Sequence, residues 1–220
     1  MSPHKPTEEL AYQLGVALAF SCAIGLSMAF VDVPAAHLAA THGTFAHWVM
    51  RKLTLLGDSG WSIPMATIST FAAIAVGESV PKWQVQTWRN ASLFVLINLC
   101  LSGIACIVLK SLVGRLRPDA ADLESNLVFS HFSHSAHWAS MPSGHTTTAM
   151  TVAFSLAAFF PRLRAPLITI AALVGLSRVV LGVHWVSDVL AGTWLAYITV
   201  TVTSLKKPRS SPFLSARSRD

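Results

Sequence analysis

The sequence predicts an all-α bundle of six transmembrane helices, with an amphipathic surface helix between the first two. Three observations carry that expectation. The 220-residue chain is 53% hydrophobic and only 12% charged, with a mean hydropathy of +0.55, the composition of a membrane protein. Its apolar residues gather into runs of helix-spanning length. Its basic residues sit mostly at the termini and in the short connections between those runs. The same placement argues against nucleic acid as a partner, although the isoelectric point near 9.7 would allow it.

The chain reads as one domain over residues 1–203, followed by a basic tail over 204–220 that is expected to be disordered and cytoplasmic. Met1 to Glu9 lacks the basic region of a cleavable leader, so the first run, Leu10 to Val31, is expected to remain as a helix. Ala35 to Leu56 mixes three histidines, Arg51 and Lys52 with apolar positions and is assigned to the membrane surface. Gly57 to Gly60 reads as a turn. The second span is Trp61 to Val76, with Pro64 in a first turn and small residues for close packing. Glu78 to Asn90 reads as a polar, interfacial connection carrying Trp83 and Trp88. The later spans are Ala91 to Val113, Ser143 to Phe160, Leu167 to Val183 and Trp185 to Thr203. A long polar loop separates the third span from the fourth, and loops of that length are more often functional than idle. Cys22, Cys100 and Cys106 lie inside apolar runs at neither disulfide nor metal-ligand spacing, and read as packing residues.

Orientation follows from the cations. With six spans, the termini share a side with Lys82, Arg89, Arg162 and Arg164. Together with Lys5 and the tail, that side collects ten basic residues against Arg51 and Lys52 opposite, leaving aside the four near the candidate site. The termini are therefore expected in the cytoplasm, and the site outside it, on a plasma (inner) membrane.

Three clusters meet on that outer side. Lys110, Arg117 and Pro118 close the third span, and Lys110 and Arg117 would share a face if the helix ran that far. Pro142-Ser143-Gly144-His145 opens the fourth, with Ser143 as a good N-cap, Gly144 permitting close backbone approach and a helix N-terminus that favours anions. Arg178, His184 and Asp188 occupy the junction of the fifth and sixth. There the i,i+4 spacing lets the carboxylate take a proton from one ring nitrogen and leave the other free. Fixed cations, a helix start and two histidines call for an anion with several oxygens, which arginine forks match well.

Lys110-x6-Arg117-Pro118, Pro142-Ser143-Gly144-His145 and Ser177-Arg178-x5-His184-x3-Asp188 together resemble the three-part signature of the type 2 phosphatidic acid phosphatase superfamily, over about a third of the chain. The resemblance implies a membrane lipid phosphate phosphatase. His184 would be the nucleophile, held by Asp188, and His145 the group that protonates the leaving oxygen and later activates water. Lys110, Arg117, Ser143, Gly144 and Arg178 would hold the phosphate. It implies no metal or cofactor, and substrates among undecaprenyl pyrophosphate, phosphatidylglycerol phosphate, phosphatidic acid and lipid A phosphates. Residue chemistry agrees: a phosphohistidine splits one displacement into two, and the cations stabilise the equatorial oxygens. A neutral His184 beside a protonated His145 gives a bell-shaped pH profile. A non-hydrolytic carrier or flippase for an anionic lipid headgroup is the rival reading; a vanadate-dependent haloperoxidase would share the anion pocket but not the apolar runs.

Several residues stand outside the signature. His131, His134 and His137 could suggest zinc, but no Cys or carboxylate accompanies them at ligand spacing, so a roof over the site or a headgroup contact is expected instead. Asp119, Asp122 and Glu124 are candidates to pair with Arg115 or to solvate the loop. Trp61, Trp83, Trp88 and Trp185 read as interface anchors and Trp194 as packing. Thr146, Thr147, Thr148 and Thr151 read as interhelical hydrogen-bonding residues.

Overall fold

The computed structural model describes residues 6–41, 43–76, 81–122, 125–133 and 135–205. Lys5, His42, Glu78, Glu124, His134 and the tail from residue 206 lie outside them. Among the described residues the chain is helical, with α1 (Pro6–Phe30), α2 (Asp32–Ala40), α3 (Thr44–Thr54), α4 (Ser59–Ala75), α5 (Lys82–Val113), α6 (Gly144–Ala157), α7 (Arg164–Val180) and α8 (Val186–Leu205). Extended pairing there is limited to one bridge, Arg115 with Phe129. The all-α expectation holds.

Helix α6 is the axis. It packs most extensively on α5, α7 and α8, while α1 lies against α8 and α4 against α5. Ala149, Met150 and Ala153 of α6 form a core with Ala171, Val174 and Ala196, small residues that let backbones approach closely. Lipid tails are as apolar as leucine, so helices in a bilayer also rely on polar cross-links, each contributing about 0.6 kcal/mol. Here Thr151 donates to Ser102 at 3.1 Å, Thr203 to Asn98 at 2.8 Å and Tyr197 to Gln13 at 3.2 Å. Of the four α6 threonines expected to bridge helices, Thr151 does so. Thr146 instead bonds Ser143 within its own first turn, and Thr147 bonds the Ser143 carbonyl as well as Cys106 of α5.

Among the described residues four helices are long and apolar enough to cross a membrane, over Leu10–Phe30, Lys82–Val113, Pro161–Val180 and Val186–Ser204. Helices α4 and α6 have 17 and 14 residues; the latter spans only about 21 Å at 1.5 Å per residue. The six-span layout thus depends on two short helices. Most α6 side chains are buried against neighbouring helices.

Three expectations are corrected. The surface segment is two helices, α2 and α3, rather than one, and the break falls beside Gly43. On α3, Phe45 and Trp48 stack at 6.3 Å on the exposed face, as an interfacial helix should present them. The connection before the third span is itself helix, because α5 begins at Lys82; Gln86 donates to Asn90 at 3.1 Å and Arg89 to Gln86 at 2.6 Å along it. At 32 residues α5 measures about 48 Å, so its first turns project past the hydrocarbon. Helix α4 starts at Ser59, where the Asp58 side chain accepts the Gly60 N–H at 2.8 Å, which puts Pro64 in the second turn rather than the first.

Gly114 ends α5 in a left-handed conformation at φ 58°, the usual helix stop. A Cβ there would lie 1.9 Å from the Ser130 carbonyl oxygen, where Ser130 N–H bonds back to the Gly114 carbonyl at 2.7 Å. Gly114→Ala is therefore expected to lower stability by about 3 kcal/mol, combining left-handed strain with overpacking, and a thermal unfolding series in detergent measures it.

Candidate active site

The end of α5, the start of α6, the end of α7 and the start of α8 meet at one end of the bundle. Lys110, in the last turn of α5, donates Nζ to the Ala139 carbonyl. Because α5 stops at Gly114, Arg117 does not share a helical face with Lys110. It reaches the site on the following segment, whose backbone is pinned by Arg117 N–H to the His137 carbonyl at 2.9 Å. Ser143 precedes α6 as its N-cap residue without a side-chain cap bond; its hydroxyl accepts from Thr146 Oγ1 at 3.0 Å, so its own proton is available to an incoming oxygen. The Ser143 N–H is held by the Asp188 carbonyl at 3.0 Å, which ties α6 to α8. His145, half-buried in the first turn of α6, follows Gly144. Arg178, in the last turn of α7, donates Nη1 to Thr54 Oγ1 at 2.7 Å.

His184 is buried at the α7–α8 junction, with Nδ1 3.4 Å from Asp188 Oδ2. That is ion-pair range without a directed hydrogen bond, and Nδ1 has no other partner. The carboxylate is already engaged. Its Oδ2 accepts from Ser140 Oγ at 2.5 Å and from the Trp185 N–H at 2.9 Å, reaching back over the first turn of α8 as capping-box acids do. Its Oδ1 accepts from Arg115 Nη1 at 2.8 Å.

Arg115 is fully buried and spans two carboxylates, Asp188 at 2.8 Å and Asp32 at 2.8 Å. Its Nε donates to the Asn126 carbonyl at 3.0 Å and its Nη1 also to Ser187 Oγ at 2.6 Å. Below it lies the Trp185 ring, 5.4 Å from the guanidinium carbon. Asp119 and Asp122 are exposed and are not partners of Arg115. Trp185 is only 1% exposed, with its indole N–H on the Leu116 carbonyl at 2.9 Å; it is a buried floor, not an interface anchor. Trp61, Trp83 and Trp88 are exposed as anchors should be, and Trp194 stacks on Phe20 at 6.3 Å.

With Asp188 committed to Arg115, none of Lys110, Arg117 and Arg178 pairs with a carboxylate among the described residues. The Nε donors of Arg117 and Arg178 are buried without a hydrogen-bond partner among the described residues. Buried donors are rarely left so, and a multi-oxygen anion between the two guanidinium groups would satisfy both. Burial pushes the His184 imidazole down to about 4 against the opposing pull of Asp188, and the Lys110 and Arg117 charges add to the depression. His184 is thus neutral at ordinary pH, as a nucleophile requires. A cavity of about 390 Å³ runs from Lys110, Gly144 and His145 between α4 and α5, past Leu99, Gly103 and Ile107. Of the loop histidines, His131 holds its ring Nδ1 2.8 Å from the Leu112 carbonyl, and His137 is exposed. Among the described residues no three His, Cys, Asp or Glu side chains group as metal ligands. Of the cysteines only Cys106 is buried; Cys22 and Cys100 are exposed.

The pattern described as the PAP2 superfamily matches residues 91–211, more than half of the chain. The chain belongs to the PAP2 superfamily. A lipid A 1-phosphatase from Rhizobium etli is 32% identical over 190 residues, 82% of this chain and 80% of that protein. Phosphatidylglycerophosphatase B from Bacillus subtilis is 32% identical over 156 residues, 66% of each. The crystal structure of a transmembrane PAP2 type phosphatidylglycerolphosphate phosphatase from Bacillus subtilis matches with a TM-score of 0.60 at 26% identity, covering 88% of this chain and 98% of that one. This PAP2 chain is accordingly a membrane-embedded phosphatase of the lipid phosphatase family.

The residues of the three sequence motifs thus gather at one end of the bundle, from four helices and one loop. Sequence reasoning missed Asp32, the partners of Arg115, and Ser140. The signal for Asp32 was present: a carboxylate directly after an apolar run is costly at a membrane edge and so invites a functional reading. Arg115→Ala would strand two buried carboxylates. It is expected to cost roughly 3–5 kcal/mol, the range for breaking a buried pair from one side, as read from chemical denaturation in mixed micelles.

Proposed function

We propose that the chain removes phosphate from a lipid phosphomonoester or pyrophosphate through a phosphohistidine on His184, at the outer face of a bacterial inner membrane. The observation carrying this reading is the pair of unpartnered guanidinium donors, Arg117 and Arg178, in the same corner as a neutral, buried His184. With Nδ1 turned to Asp188, the opposite ring nitrogen of His184 attacks phosphorus while the bond to the lipid oxygen breaks. His145 protonates that leaving oxygen. Water then attacks the phosphorus of the phosphohistidine, His145 takes its proton, and inorganic phosphate departs as the His184 nitrogen is released. Lys110, Arg117, Arg178, the Ser143 hydroxyl and the Gly144 N–H stabilise charge on the equatorial oxygens.

The apolar cavity that starts at Lys110 and His145 supports a lipid rather than a soluble substrate. Relatives matched over 82% and 84% of this chain are named lipid A 1-phosphatases, so a lipid A 1-phosphate is the first substrate to test, with phosphatidylglycerol phosphate second. The outward site and cytoplasmic termini, over six spans with α4 and α6 among them, follow from the ten-to-two division of basic residues.

A panel of lipid phosphates incubated with purified protein tests the reading. Specific, vanadate-sensitive phosphate release is expected; binding without release would mark a carrier. His184→Ala should lose nearly all turnover, and an acid-labile phosphoenzyme persisting in that variant would rule out the assigned nucleophile. Replacing Arg117 or Arg178 with Ala should lower kcat/KM by roughly 10²–10³, the usual loss for one transition-state donor. Since His184 is held near 4 instead of 6.5, the acidic limb of kcat/KM should fall near pH 4. The sign for stability is the same: the folded chain resists protonation of a ring that the unfolded chain protonates, so stability declines as pH drops from about 6.5 towards 4.

A further inference from the structure

Asp32 belongs to none of the three motifs, yet it is only 1% exposed and is surrounded by donors. Its Oδ1 accepts from the Ser187 N–H at 2.9 Å and from Ser27 Oγ at 3.0 Å. Its Oδ2 accepts from Ser187 Oγ at 2.5 Å and from Arg115 Nη2 at 2.8 Å, with Asn126 Nδ2 at 3.5 Å. Ser187 is the second residue of α8, and its N–H is one of those a helix start leaves unpaired. Asp32 therefore grips the first turn of α8 from outside while holding the guanidinium that grips Asp188. Both contacts act on the residue that faces His184.

Charge points the same way. Asp32, Arg115 and Asp188 sum to one negative charge, presented to a ring that becomes cationic when it is phosphorylated with Nδ1 still protonated. The other charges that reach His184 are Lys110 of α5 and Arg117 after it, both positive. Removing Asp32 would leave the ring facing a neutral pair and two cations.

We propose that Asp32 and Arg115 are positioning residues for phosphoryl transfer, a charged relay that fixes Asp188 against His184 and supplies the net negative charge the phosphorylated ring requires. The relay rests on His184 acting as the nucleophile. It assigns a functional part to the α1–α2 junction, outside the region that matches the family pattern.

The test uses the full-length chain in detergent. Phosphate release is followed from acid to neutral pH on whichever of phosphatidic acid, phosphatidylglycerol phosphate or lipid A 1-phosphate the wild type hydrolyses. Asp32→Asn keeps the shape and removes the charge. It is expected to lower kcat by about tenfold or more, the loss of one charged hydrogen bond, with KM within about twofold, the pattern of an interaction made in the transition state. Its acidic limb should move to lower pH, because the ring loses a favourable negative neighbour. Asp32→Glu, which keeps the charge, should leave that limb in place. A scaffold role alone would change protein yield and unfolding temperature without moving the limb. A folded Asp32→Asn with wild-type kcat, or with lowered kcat and an unmoved limb, overturns the relay.

Should Asp32→Asn not accumulate, Ser187→Ala decides. It removes the hydroxyl shared by Arg115 and Asp32 and keeps every charge; a several-fold fall in kcat at constant KM supports the relay, and wild-type kcat defeats it. The two readings fail separately. An active His184→Ala removes the nucleophile and the relay with it, whereas an inactive His184→Ala beside an unaffected Asp32→Asn removes the relay alone.

Discussion

A guanidinium buried in a membrane protein must be neutralised where it stands, and the solution found for Arg115 organises this molecule. Its two carboxylates come from residues 83 and 73 positions away in the chain, so the fold can close only when the start of α2, the post-α5 segment and α8 arrive together. Breaking any one of these contacts leaves a charge with no water to fall back on, and an unpaired buried charge is among the most damaging defects a fold can carry. Such a network adds little net stability over a well-packed apolar core. What it contributes is discrimination, since alternative packings of helices this similar in hydropathy would have to leave it unmade.

The neutralisation also divides labour among the charges. Asp188 lies near the cluster of cations, but its Oδ1 is taken by Arg115 and its Oδ2 accepts from Ser140 and the Trp185 N–H. Lys110, Arg117 and Arg178 are left as a surplus of positive charge among the described residues, and Lys110 lines the apolar cavity between α4 and α5. Low dielectric strengthens their field, and burial keeps the nearby imidazole of His184 neutral.

The three motifs could be read from the chain because each is local: a cation a turn from a helix end, a small-residue helix start, a histidine four positions before an aspartate. The six apolar runs were equally visible, since hydropathy is a property of short windows. What could not be read was pairing across distance. Arg115 stood next to Asp119 and Asp122 in sequence and took neither, because both remain in solvent while Asp32 is delivered by a helix from the other end of the chain. Trp185 looked like other tryptophans near span ends until the stacked Arg115 and the Leu116 carbonyl showed why it is buried. The polar stretch from Lys82 to Asn90 reads as a connection but forms the first turns of α5. Its composition resembled a loop, but a helix already anchored in the bundle can extend through Gln and Arg residues that bond one another along its flank.

The position of Asp32 bears on how such enzymes can be cut and recombined. The match to the family pattern begins at residue 91, and the preceding helices invite treatment as an exchangeable anchor. They are not one. A chimera joining residues 91 onward to a foreign leading segment would carry every motif side chain, yet leave the buried Arg115 with one carboxylate instead of two.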